Sequence, residues 1–103
     1  GALSDERLKE NITDATSKLD DLMKVKVKNF NMIGDEQKQI GVVAQELEDV
    51  FPSMIINAKT PDSEDETLYK SVKYSVFVPM LIKSIQELTA KVEMLEKKCQ
   101  CKN

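Results

Sequence analysis

The chain has 103 residues, enough for one small domain and too few for two. With 15 basic against 18 acidic residues its net charge is −3, which disfavours the basic surface that non-specific nucleic-acid binding uses. It contains no histidine, which excludes every His-based catalytic triad, and no apolar run near the roughly 20 residues of a membrane span.

Hydrophobic residues make up 41% of the chain, yet aromatics only 5%, and there is no Trp. The large anchors are Phe30, Phe51, Phe77, Tyr69 and Tyr74. A small domain with few anchors and 32% charged residues is a candidate for an oligomer whose copies complete one another's core. Three glycines cannot build a Gly-rich phosphate loop, no signal-peptide pattern opens the chain, and no cofactor or metal is expected.

In chain order, "SDERLKENI" reads as a short N-terminal turn or helix. "TDATSKLDDLM" sets Ala15, Leu19, Leu22 and Met23 at helical spacing, with Thr13 or Asp14 as N-cap. "KVKVKNFNMI" alternates with period two, and its phase slips near Asn29, which predicts a strand with a bulge. Lys24, Lys26 and Lys28 then line the strand's outer face, a solvated stripe rather than a phosphate site. "GDEQK" supplies a turn and "QIGVVA" a second strand, completing a hairpin.

"AQELEDVF" is two helical turns, with Ala44, Leu47 and Phe51 inward, ended by Pro52. "SMIINA" is a short strand, "KTPDSEDET" an acidic loop and "LYKSV" a returning strand. Glu46, Glu48, Asp49 and the cluster from Asp62 to Glu66 lack the spacing of a calcium loop and read as solvated.

Pro79 is tolerated only in the first turn of a helix, which predicts a start near Ser75 with Ser75 as N-cap. From there Val78, Leu81, Ile85, Leu88, Val92, Leu95 and Cys99 form a heptad stripe, β-branched or Cys at a and Leu at d. Lys91 falls at g and Glu96 at e, correctly signed for an interchain pair. Ile82 at e widens the first half of the stripe, as packing on the chain's own core would require; beyond Thr89 the stripe narrows to a seam between copies. Self-association through this helix is the preferred reading, and the residue types nominally favour two strands. Cys99 and Cys101 read as inert thiols near the helix end, ahead of an interchain disulfide or a metal.

Ser4 and Lys9 together suit one chemistry, a serine nucleophile activated by a lysine base. Lysine ordinarily titrates near 10.4, so the base needs burial or a neighbouring cation, for which Arg7 is close in sequence. On an ideal helix the two would lie roughly 140° apart. Either Ser4 sits in a non-helical turn or its lysine comes from another copy. By spacing alone, Ser4 as a helix N-cap is the simpler reading.

"SDERLKENI", "IGVVAQELEDVFP" and "YSVFVPMLIKSIQELTAKVEMLE", in this order, resemble the C-terminal intramolecular chaperone domain of phage tailspikes, tail fibres and endosialidases, a domain related to one in myelin regulatory factor. The resemblance runs from Ser4 to about Glu96. It implies a homotrimer that aligns three chains of an upstream fibre or spike for folding and then cuts itself off. Ser4 would be the nucleophile, Lys9 the base and Leu3–Ser4 the scissile bond, a single-turnover serine auto-endopeptidase with a Ser/Lys dyad. Trimer packing would bury Lys9, so that cleavage waits for assembly.

The expected fold is α+β: one domain over 1–103, a small globule over 1–74 with a β-hairpin and short helices, then a coiled-coil helix over 75–103. Expected partners are two further copies and the upstream part of the same polypeptide, with no nucleic acid and no membrane. The expected place is the host cytoplasm during virion assembly, with release from the mature fibre. Gly1 to Leu3 precede the scissile bond, so either it is uncut in this chain or the cut lies elsewhere; the chain is read as the released domain on its own. A pure trimerisation module, with Ser4 only a cap, is the alternative. A DNA-binding regulator fragment is disfavoured by the acidic charge.

Overall fold

The computed structural model describes residues 1–61 and 64–101. The chain is α+β, built of two small antiparallel hairpins, two short helices and one long C-terminal helix. A 3-10 turn over Glu6–Leu8 opens it, and α1 spans Leu19–Leu22. Strands β1 (Lys28–Phe30) and β2 (Gln39–Gly41) pair in regular register, Asn29 opposite Ile40, with no bulge at Asn29. Helix α2 (Ala44–Glu48) leads through a 3-10 turn at Pro52–Met54 into β3 (Ile55–Lys59), which pairs with β4 (Leu68–Val72). A last 3-10 turn, Tyr74–Val76, runs into α3, Phe77–Cys101.

Several sequence expectations are corrected. The helix expected from Thr13 forms only at Leu19–Leu22, with Lys18 and not Thr13 or Asp14 at its N-cap. The Ser17 hydroxyl donates to Glu87 on α3, a tie that competes with a helix starting earlier in this run. Val25 and Val27 stay outside the ladder, because β1 begins only at Lys28. Ser75 is not a cap; it sits inside the 3-10 turn, and Pro79 does fall in the first turn of α3. Phe51 leaves α2 and, at φ −131° and ψ 75°, becomes the non-helical residue before Pro52. Glu46 is not simply solvated: Lys26 and Lys28 both reach its Oε2 at 3.7 Å, and its Oε1 is buried without a partner among the described residues. Of the expected acidic loop Asp62 and Ser63, and of the expected helix Lys102, Asn103 and the thiol of Cys101, lie outside the described residues.

The core is small. Only Leu47 of α2 and Met54 are buried apolar side chains among the described residues, between α2 and the second hairpin. Lys73 N–H extends the β3–β4 ladder to the Met54 carbonyl at 2.9 Å, and Lys70 ties β4 to Glu48 of α2 at 3.1 Å. The radius of gyration is 19.1 Å, against about 13 Å for a compact chain of this length. The accessible surface is 9118 Å². A monomeric globular protein of 11.7 kDa exposes about 5,900 Å², so this chain leaves an excess of about 3,200 Å².

The first hairpin is fixed to the base of α3 at one joint. The Tyr74 hydroxyl accepts from Val42 N–H at 3.1 Å, directly over Gly41. A Cβ at Gly41 would stand 2.7 Å from that hydroxyl and 3.2 Å from the Phe30 ring, so only glycine admits both. Gly41→Ala is expected to cost about 1–3 kcal/mol in urea unfolding. Adding Tyr74→Phe, which removes the clashing oxygen, makes the double variant less destabilised than the sum of the two singles; strict additivity would contradict the joint.

Candidate functional site

Ser4 and Lys9 are brought together. Lys9 Nζ donates to Ser4 Oγ at 2.7 Å, both side chains being exposed. The intervening Glu6–Leu8 turn makes this possible within one chain: Leu8 N–H donates to the Asp5 carbonyl at 3.0 Å and Lys9 N–H to the Glu6 carbonyl at 3.1 Å. Lys9 then leaves the turn extended, at φ −119° and ψ 151°, with its side chain turned back to Ser4. Of the two geometries open to the sequence, the non-helical turn is the one adopted.

The cap of that turn is Asp5, not Ser4. Asp5 Oδ1 accepts from Arg7 N–H at 2.9 Å, and the Arg7 guanidinium closes on both carboxylate oxygens at 3.1 and 2.8 Å. These bonds, the side-chain ones foremost, hold the Asp5 carboxyl below its ordinary value near 3.8 and raise the Arg7 guanidinium above its own. Ser4 is thereby released from capping and its hydroxyl is free for Lys9. Arg7, expected as a cation beside the lysine, is instead engaged by Asp5. The Asp-x-Arg spacing was the available signal for this clamp. On the far side of Lys9, Asn11 takes a left-handed backbone, φ 55°, a conformation to which Asn is better suited than most residues. Leu3, the residue before Ser4, is 86% exposed.

The six stripe residues of α3, Val78, Leu81, Ile85, Leu88, Val92 and Leu95, are all exposed, between 47 and 63%. Ile82, which would sit inward if the helix lay on its own core, is 52% exposed. The helix instead turns Phe77, Met80, Ser84 and Glu87 toward its own domain. Ser84 is buried, and both its hydroxyl and Glu87 Oε1 lack a partner among the described residues. This inward polar face was missed from sequence, since Ser and Glu at helical spacing read as solvent-facing. Cys99 is a free, exposed thiol. No described helix is long and apolar enough to cross a membrane.

A protein of Escherichia phage Phieco32 described as "Probable tail fiber protein" is 38% identical over 100 residues, which is 93% of this chain and 13% of that protein. This chain therefore corresponds to a small part of that relative's length. Residues 4–56 match the family described as chaperone of endosialidase, Peptidase_S74. The matched segment begins at Ser4 and runs through the Asp5–Arg7 clamp, the first hairpin, α2 and Met54. With half its length so matched, this chain belongs to the chaperone of endosialidase family.

Proposed function

We propose that the chain is the trimerising chaperone part of a phage fibre or spike and that it releases itself by cutting the Leu3–Ser4 bond. The observation that carries this reading is the 2.7 Å contact of Lys9 Nζ with Ser4 Oγ, beside the family match and the tail-fibre relative. The domain would fold with residues 1–74 as its globule and 75–103 as a helix that pairs with two further copies. Assembly would take place in the host cytoplasm, with the upstream fibre as client.

The chemistry follows from the spacing. Across the 2.7 Å contact an ammonium donates to the hydroxyl. Once the amine is neutral the bond reverses, and Nζ takes the Oγ proton as Oγ adds to the Leu3 carbonyl carbon. The Lys9 proton passes to the departing Ser4 nitrogen, and an ester joins Leu3 to Ser4 Oγ. Water then attacks that ester, giving the Leu3 carboxylate and restoring the Ser4 hydroxyl. No metal or redox partner is needed to balance either step. Burial favours the neutral amine, and in the single chain Lys9 is exposed. Packing of copies supplies the missing burial, so cleavage follows assembly.

Three outcomes test this reading. In a chain extended by about 50 upstream residues, intact mass finds a new N-terminus at Ser4. Ser4→Ala and Lys9→Ala abolish it, as does Lys9→Arg, because a guanidinium stays protonated. Cleavage that survives Ser4→Ala refutes the dyad and leaves a trimerisation module. Leu88→Asp, at a half-exposed stripe position, yields a folded monomer by sedimentation that no longer cuts; a monomer cutting at the wild-type rate breaks the link to assembly.

The third outcome concerns the clamp, which positions the pair. Asp5 titrates by NMR with a midpoint below 3.8, and Arg7→Ala moves that midpoint up. Because the folded value is depressed, the clamp's contribution is complete above the ordinary value and is lost as pH falls through the folded one. An unchanged midpoint in Arg7→Ala contradicts the clamp.

A further inference from the structure

A groove of about 470 Å³ opens between the N-terminal half of α3 and the segment that follows α1. One wall is Leu22, Met23, Val25 and Val27; the other is Leu81, Ile85 and Leu88, three members of the exposed stripe. Met23 is 77% and Val27 66% exposed although both belong to this apolar lining. Ser84 also lines the groove, 5% exposed, with its hydroxyl unpartnered. A buried hydroxyl without a partner beside a solvent-open apolar groove is an unfinished arrangement.

We propose that this groove receives the α3 stripe of a neighbouring copy, so that the Leu22–Val27 segment of each chain covers the helix of the next. The proposal rests on the self-assembly stated above and names the surface that carries it. Three observations select this occupant. The helical wall of the groove is the stripe itself, and Val92 and Leu95 prolong that stripe beyond the groove, so the contact is continuous with a longer one. Among the described residues only α3 offers an apolar stripe long enough to match it. The excess accessible surface, about 3,200 Å², is within the range that obligate oligomer interfaces bury. The groove adds to the stripe a second wall, Leu22 to Val27, which the incoming stripe lacks, so the contact is head-to-tail, and where its rotation closes it makes a ring. The seam between helices is then lined on its outer side by α1 and the valines after it, and the role of Val25 and Val27 is intermolecular.

The test uses wild-type chain assembled from a mixture of methyl-labelled and unlabelled copies, read by isotope-filtered NOEs. Intermolecular NOEs are expected from the Val25 and Val27 methyls to methyls of α3. Val27→Glu, placed on an exposed side chain, is expected to weaken association at least about tenfold by sedimentation, while Ile33→Glu, fully exposed and off the groove, leaves it unchanged. An assembly whose intermolecular NOEs join α3 only to α3, or a Val27→Glu chain that associates like wild type, overturns the groove proposal and leaves assembly through the helices intact. A wild-type chain that stays monomeric overturns both.

Discussion

Burial is the constraint from which the rest of this structure follows. Leu47 at 2% and Met54 at 1% exposure are the buried apolar side chains among the described residues, and they hold one small corner where α2 meets the second hairpin. A two-stranded hairpin is marginal alone, and among the described residues there are two of them with no sheet joining them. Polar ties at the edges hold what the core does not: Lys70 on Glu48, Lys26 and Lys28 on Glu46, the Tyr74 hydroxyl on Val42. Ion pairs this exposed contribute little each, so they define relative placement more than they stabilise it. The apolar side chains left at the surface are therefore material for an interface.

Helix α3 divides that work between two faces. Phe77 and Met80, then Ser84 and Glu87, attach it to the domain, with Ser17 reaching Glu87 from the run before α1. The heptad stripe lies on another side and touches little of its own domain beyond the groove. A helix held by a mixed face while its continuous apolar stripe stays open departs from the usual amphipathic arrangement, in which the apolar stripe meets the core.

Much of the element order was legible in the sequence because local chemistry dictates it. Pro79 required a helix start, Pro52 ended α2, and "QIGVVA" and "LYKSV", each following a turn-rich loop, read as the strands that form at Gln39–Gly41 and Leu68–Val72. What escaped depended on partners far away in the chain. The run from Thr13 to Lys18 has helical spacing, yet Ser17 finds its acceptor 70 residues later and the run forms no helix. Val25 and Val27 alternate like a strand, but their neighbours across the groove are helical. The Ser4–Lys9 pair was legible as residue types, whereas its geometry required knowing that Asp5, one position on, takes the cap.

That pair spans five residues and is closed by a single turn. Loops of this length close within roughly 100 ns, whereas subunits dock over milliseconds to minutes and at a rate set by concentration. Ser4 and Lys9 thus meet many orders of magnitude before any second copy arrives, and meet again after every fluctuation that parts them. Distance cannot be the clock of a reaction at this site. The turn alone keeps the pair together, whatever surrounds it.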